Sequence, residues 1–171
     1  MKKFIAPILI LFFSLNSFAQ KDFNVPKNYK FKEKSSYAKY EQDIIEATKW
    51  LINTPSDSAK SKRKKVNKFV VMWIMGSPAV TITIDEQFAM YSSSPDYLTI
   101  FMAAWASENL EKKNFKDKLA GTTAGVNAVL KYYEANKDKI GKDKKLKKYA
   151  KMKKKGKLEA FIKFQVEKLP K

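Results

Sequence analysis

The sequence predicts a mostly α-helical single domain, a bundle of five or six helices with at most one short extended segment, at 80–84. Three observations point there. Apolar and aromatic residues recur at three- and four-residue steps over most of the chain, the period of helices that turn one face to a core. Helix ends are written in local chemistry, most clearly at Ser94-Pro95-Asp96, where a capping residue is followed by proline at the first helical position and by an acid that suits the positive helix end. Only Val80-Thr81-Ile82-Thr83-Ile84 alternates with the two-residue period of a strand. A lone strand cannot satisfy its own backbone groups, so this segment either pairs with one elsewhere, such as the N-terminal arm, or is an extended crossing.

Residues 1–19 carry the three-part layout of a secretory signal peptide. Lys2-Lys3 precede an apolar run from Phe4 to Leu15, and Ser17-Phe18-Ala19 supplies small residues at the cut before Gln20. The run is shorter than the ~20 apolar residues a membrane-spanning helix needs, so cleavage is expected, with no transmembrane segment left after it. The destination is the periplasm or the exterior. Taking 19 residues from 171 leaves 152, enough for one domain with a core and too few to expect two.

Residues 20–34, polar with Phe23, Tyr29 and Phe31 interspersed, are expected to form an extended arm, and 35–171 the helical domain. Ser35 or Ser36 opens a helix striped by Tyr37, Tyr40, Ile44, Thr48 and Leu51, which Asn53-Thr54-Pro55-Ser56 ends. From 57 to 75 a charged stretch runs into Phe69-Val70-Val71-Met72-Trp73-Ile74-Met75, apolar on every side; continuity with Val66 favours helix, stopped by Gly76-Ser77-Pro78. A short helix is expected from Glu86 to Tyr91, capped by Asp85. The helix after Ser94 should run to about Lys112 with Tyr97, Phe101, Ala104 and Trp105 along one face. The next, roughly 116–135, carries Ala120, Ala124 and Ala128 together with Gly121 and Gly125, a small-residue ridge that implies close packing on a neighbouring helix. The lysine-rich segment 137–157 has only a narrow apolar stripe of Leu146, Tyr149, Ala150 and Met152, and a last helix follows with Leu158, Phe161, Ile162, Val166 and Leu169 inward.

Composition narrows function mainly by exclusion. The chain has no cysteine and no histidine, which removes disulfides, thiolate chemistry, the commonest metal ligands and general base, and every Ser-His, Cys-His or HExxH arrangement. No cofactor and no metal site is expected. Stability must come from packing. Catalysis would have to rest on Asp, Glu, Lys or Tyr, and no phosphate loop, nucleophile elbow or dinucleotide fingerprint is present. The three tryptophans, Trp50, Trp73 and Trp105, sit at helical spacing and are expected in the core.

What stands out is charge. The formal net charge is +18, and without Lys2 and Lys3 the 33 remaining basic residues against 17 acidic ones leave +16. Two segments concentrate it. Residues 60–68 hold six basic residues and no acid, and 137–157 hold twelve lysines against Asp138 and Asp143. The residues expected to meet an anion are Lys62, Arg63, Lys64 and Lys65 in the first and Lys144, Lys147, Lys148 and Lys151 in the second. Partners of matching chemistry are anionic lipid, polysaccharide or an acidic protein. Arg63 is the only arginine, and shaped phosphate and base recognition favours arginine's planar fork, so nucleic acid fits less well than diffuse attraction to an anionic surface. The competing explanation is a solvated face that keeps a small exported protein dispersed.

The function expected from these features is a non-catalytic, exported helical protein that binds an anionic envelope component or protein partner through lysine. Two alternatives remain. One is a hydrolase-type enzyme using Asp, Glu and Tyr near the 76–95 loop, with several of Asp85, Glu86, Tyr91, Asp96 and Glu108 gathered in a pocket. The other is an inhibitor or immunity-type partner, recognisable by an exposed apolar patch or a free edge at 80–84.

Overall fold

A computed structural model describes residues 22–84, 88 and 94–168. The expected signal peptide, the short helix at 86–91 and Leu169 lie outside the described residues.

Seven helices make up the described residues, with no strand among them: α1 (Lys34–Ala38), α2 (Glu41–Asn53), α3 (Lys60–Gly76), α4 (Pro95–Lys112), α5 (Lys118–Ile140), α6 (Lys144–Lys154) and α7 (Leu158–Val166). The bundle is mostly α, as its periodicity predicts. Two boundaries raise the helix count. The stripe from Tyr37 to Leu51 is broken after Ala38, because Tyr40 leaves the helical region at φ −105, ψ 9. No glycine or proline marks that break. Neither Ser35 nor Ser36 is the N-cap; Glu33 is, and Ser36 folds back so that its Oγ accepts from the Glu33 amide at 3.2 Å and donates to the Glu33 carbonyl at 2.6 Å.

The second surprise is the lysine-rich segment, which is helical through most of its length. α5 continues past the expected 135 to Ile140 and stops at Gly141, whose φ of 97 suits a residue without Cβ. Asp143 then caps α6, its Oδ1 accepting from the Lys145 and Leu146 amides at 2.8 and 2.9 Å. Lysine is a good helix former, and an apolar stripe of only Leu146 and Tyr149, both buried, holds the helix down.

The α4 start is as the sequence predicts. Ser94 Oγ accepts from the Asp96 amide at 3.3 Å, with Pro95 in the first turn. α4 and α5 form the most extensive helix pair in the molecule. Glycine makes this possible: a Cβ on Gly121 would lie 2.4 Å from the Trp105 ring, and one on Gly125 2.6 Å from Phe101. The glycines of the small-residue ridge therefore do pack tightly, whereas Ala120 and Ala124 border an open groove.

Trp73, Trp105, Tyr97, Tyr132 and Phe69 are the largest fully buried side chains. They sit in or against the 69–75 and 97–105 segments, where the core was expected. The arm docks on this core. Phe23 is buried, and Tyr29 and Phe31 pack on Phe69 with ring centroids 5.0 and 5.8 Å away. Residues 80–84 belong to no helix and pair in no ladder among the described residues; Val80 is buried and Ile84 exposed. No described helix is long and apolar enough to cross a membrane.

Candidate functional site

The two basic segments meet at one end of the molecule. The turn before α3 is tied to the end of α5, where the Ser56 amide donates to Asn136 Oδ1 at 2.7 Å and Lys139 pairs with Asp57 at 2.6 Å. That ion pair holds the Asp57 carboxyl below its ordinary range. α6 begins three residues after α5 ends, so the N-terminus of α3 and the N-terminus of α6 share that end. Lys64, Lys65, Lys144, Lys147, Lys148 and Lys151 are all exposed.

The first turn of α3 is built against its own electrostatics. A helix N-terminus carries roughly half a positive charge, and acids there are worth ~0.3–1 kcal/mol each. Here the turn holds no acid and contains Lys60 and Lys62, with Arg63 following, and its N-cap is Ala59 in the left-handed region, φ 49, without a capping side chain. The helix forms because Val66, Phe69, Val70 and Trp73 are fully buried along its inner face. Packing outweighs the poor start.

Two of the eight residues expected at the surface are engaged internally. Lys62 is half-buried, donates to Asp22 at 2.6 Å and to Asn24 at 3.1 Å, and lies 5.5 Å from the Trp50 ring. That hydrogen bond holds the Asp22 carboxyl below its ordinary range. Arg63 leaves the basic surface altogether, with 5% of its surface exposed. Its guanidinium donates to the Leu51 and Thr54 carbonyls at 3.3 and 2.5 Å, stands 3.5 Å from Asp96 Oδ2, and lies over the Trp50 and Tyr132 rings at 5.8 and 5.2 Å. The physical reason is register: residues 63, 66, 70 and 73 fall on one helix face, so Arg63 continues the apolar stripe.

Around Arg63 lies a buried polar cluster that sequence reasoning missed. Asp96 accepts from Asn67 Nδ2 at 3.1 Å and from the Tyr132 hydroxyl at 2.8 Å. Burial and that bond to a carboxylate push the Tyr132 hydroxyl up. Tyr97, edge-on to Tyr132 at 6.2 Å, is pushed up to about 12, first by burial and then by the nearby Asp143 charge. The cluster joins α3, α4 and α5 to the end of α2.

The enzymatic alternative calls for several of Asp85, Glu86, Tyr91, Asp96 and Glu108 in one pocket; Asp96 and Glu108 are the two that are described. They stand twelve residues apart on α4, ~18 Å along its axis. Asp96 is committed to Arg63, and Glu108 faces a groove beside α7. Asp85, Glu86 and Tyr91 lie outside the described residues. Among the described residues no group of three acids is placed to hold a metal.

A second groove, of about 760 Å³, lies between α2, α5 and α6. Ile52, Ala128, Leu130, Ala135 and Ala150 give it an apolar floor, and Lys49, Lys131, Lys153, Lys154 and Glu134 rim it. No family model, no curated protein and no solved structure matches this chain.

Proposed function

We propose that this chain is an exported, non-catalytic protein whose lysine-rich end associates with the anionic phospholipid surface of the cell envelope. The observation that carries the reading is the link of the turn before α3 to the end of α5, which brings the starts of two lysine-bearing helices to one end while the only arginine is withdrawn into the core; Lys64, Lys65, Lys144, Lys147, Lys148 and Lys151 on these helices are exposed. Lysine's compact ammonium suits attraction to many headgroups rather than a shaped grip on one. The first turn of α3 supports the same reading, because it holds no acid to offset the exposed Lys60 beside its positive end. Export rests on the layout of residues 1–19.

Each lysine near an anionic leaflet contributes about 1 kcal/mol, so Lys144, Lys147, Lys148 and Lys151 alone correspond to roughly millimolar association, and Lys64 and Lys65 of α3 tighten it. The test is co-sedimentation of residues 20–171 with vesicles of phosphatidylglycerol and of phosphatidylcholine at low and high salt. Binding to the anionic vesicles alone, lost on adding salt, supports the reading. Equal recovery with both lipids, or tighter binding to a soluble polyphosphate than to the anionic vesicles at the same salt, overturns it.

A further inference from the structure

We infer that the groove between α2, α5 and α6 is a binding site for a single-chain anionic amphiphile, whose alkyl chain lies on the apolar floor and whose headgroup meets lysine. The inference rests on the membrane-surface reading for the class of headgroup only. It concerns different residues, since none of the eight lysine and arginine positions expected to meet anions lines this groove.

Volume and lining are those of a small-molecule site. At about 760 Å³ the groove falls within the range of ligand pockets, roughly 300–1,000 Å³, which are mostly apolar with a few polar groups to fix orientation. The floor is built of short side chains. Ala128, Ala135 and Ala150 leave the space between α5 and α6 unfilled, and Ile52 of α2 closes one side.

The rim fixes the charge of the occupant. α6 runs back along α5 after the turn at 141–143, which sets Ala150 level with Glu134 and Ala135, and Lys153 and Lys154 level with Asn127 to Lys131. Lys49 comes from α2. Two of these four ammonium groups have partners: Lys49 pairs with Glu111 at 2.8 Å, and Lys131 donates to Asn53 Oδ1 at 2.7 Å. Lys153 and Lys154 are exposed and carry no ion pair among the described residues. Glu134 is the one acid on the rim. The groove therefore has an apolar floor beneath a rim of four lysines and one acid. Its complement is a phosphate or carboxylate head on one hydrocarbon chain. A neutral amphiphile would gain only from the floor, and a cationic one would be repelled.

The experiment is calorimetric titration of residues 20–171 with dodecyl phosphate below its critical micelle concentration, beside dodecyl maltoside and inorganic phosphate. Ala150→Trp and Ala135→Trp fill the floor from two different helices, and Ala135 is exposed, so its variant keeps the fold if Ala150→Trp does not. Dodecyl phosphate is expected to bind at least tenfold more tightly than dodecyl maltoside or inorganic phosphate, and at least tenfold more weakly to whichever variant retains the parent circular dichroism. Equal affinity for the maltoside, no binding of dodecyl phosphate, or unchanged affinity in a folded variant overturns the inference. The same variants are expected to keep their binding to phosphatidylglycerol vesicles. Loss of amphiphile binding with vesicle binding intact isolates the groove, whereas a parent protein that binds dodecyl phosphate but not phosphatidylglycerol vesicles faults the membrane-surface reading alone.

Discussion

Arg63 and Asp96 form a buried ion pair, Nη1 to Oδ2 3.5 Å, that fastens α3 to the first turn of α4. Asp96 also serves α4 as an acid in its positive first turn and accepts the Tyr132 hydroxyl from α5. Three helices therefore meet on one carboxylate. Asp96→Asn leaves the Arg63 guanidinium buried without its counter-charge, a change that costs about 3–5 kcal/mol. Tyr132→Phe removes a single hydrogen bond from the same carboxylate and should cost about 1–3 kcal/mol. Urea unfolding of the two variants checks the ranking; a milder loss in Asp96→Asn than in Tyr132→Phe would contradict it.

Tyr97 is a different case, because its buried hydroxyl has no hydrogen-bond partner among the described residues. Tyr97→Phe should leave stability at neutral pH unchanged or slightly raised. A phenol is neutral when protonated, and burial raises this one from 10 to about 12. Its contribution is therefore fully present below pH 10 and is lost as pH rises through 12. Lysines titrate in the same window, so the variant and the parent are compared at each pH. The parent should lose stability relative to Tyr97→Phe between pH 10 and 12, and parallel curves would contradict the assignment.

Much of this bundle was legible. Ser94-Pro95-Asp96 announces α4 because capping, proline geometry and the helix dipole all act within three residues. The core segments 69–75 and 97–105 announce themselves by apolar content. Arg63 was hidden because it sits within six basic residues whose composition reads as surface. The signal that reveals it is positional: extending the stripe of Trp73, Val70 and Val66 back by three residues lands on 63. The break between α1 and α2 has no such signal, since no glycine or proline stands there. The groove was equally invisible, because Ala128 looks like part of a packing ridge until α6 is known to leave space beside it.

Gly121→Ala tests the closeness of α4 and α5. A Cβ 2.4 Å from the Trp105 ring cannot be accommodated without moving that buried side chain. Overpacking of this kind costs typically about 1–3 kcal/mol, against the ~1 kcal/mol that alanine gains over glycine in a helix. The expected net result is a lower melting temperature, with a change in the near-ultraviolet circular dichroism of tryptophan. A stabilised variant would show that the two helices can separate at no cost.

Ser61→Asp separates the fold from the proposed function. It places an acid at the second position of α3, where the dipole favours it by ~0.3–1 kcal/mol, and lowers the charge of the lysine-rich end by one. The melting temperature should rise while affinity for anionic vesicles falls. Both quantities moving in the same direction would contradict the view that this helix start is built for charge rather than stability.

The most direct measurement of the central claim is the salt dependence of binding to phosphatidylglycerol vesicles for residues 20–171 and for a variant with Lys144, Lys147, Lys148 and Lys151 all changed to Gln. Attraction between exposed charges is screened over ~8 Å at physiological ionic strength. A plot of log affinity against log salt concentration is therefore expected to fall steeply for the parent and clearly less steeply for the variant, whose melting temperature stays near the parent's because all four side chains are exposed. Equal slopes for the two proteins, or binding that does not respond to salt, would contradict a lysine-rich end built to meet an anionic surface.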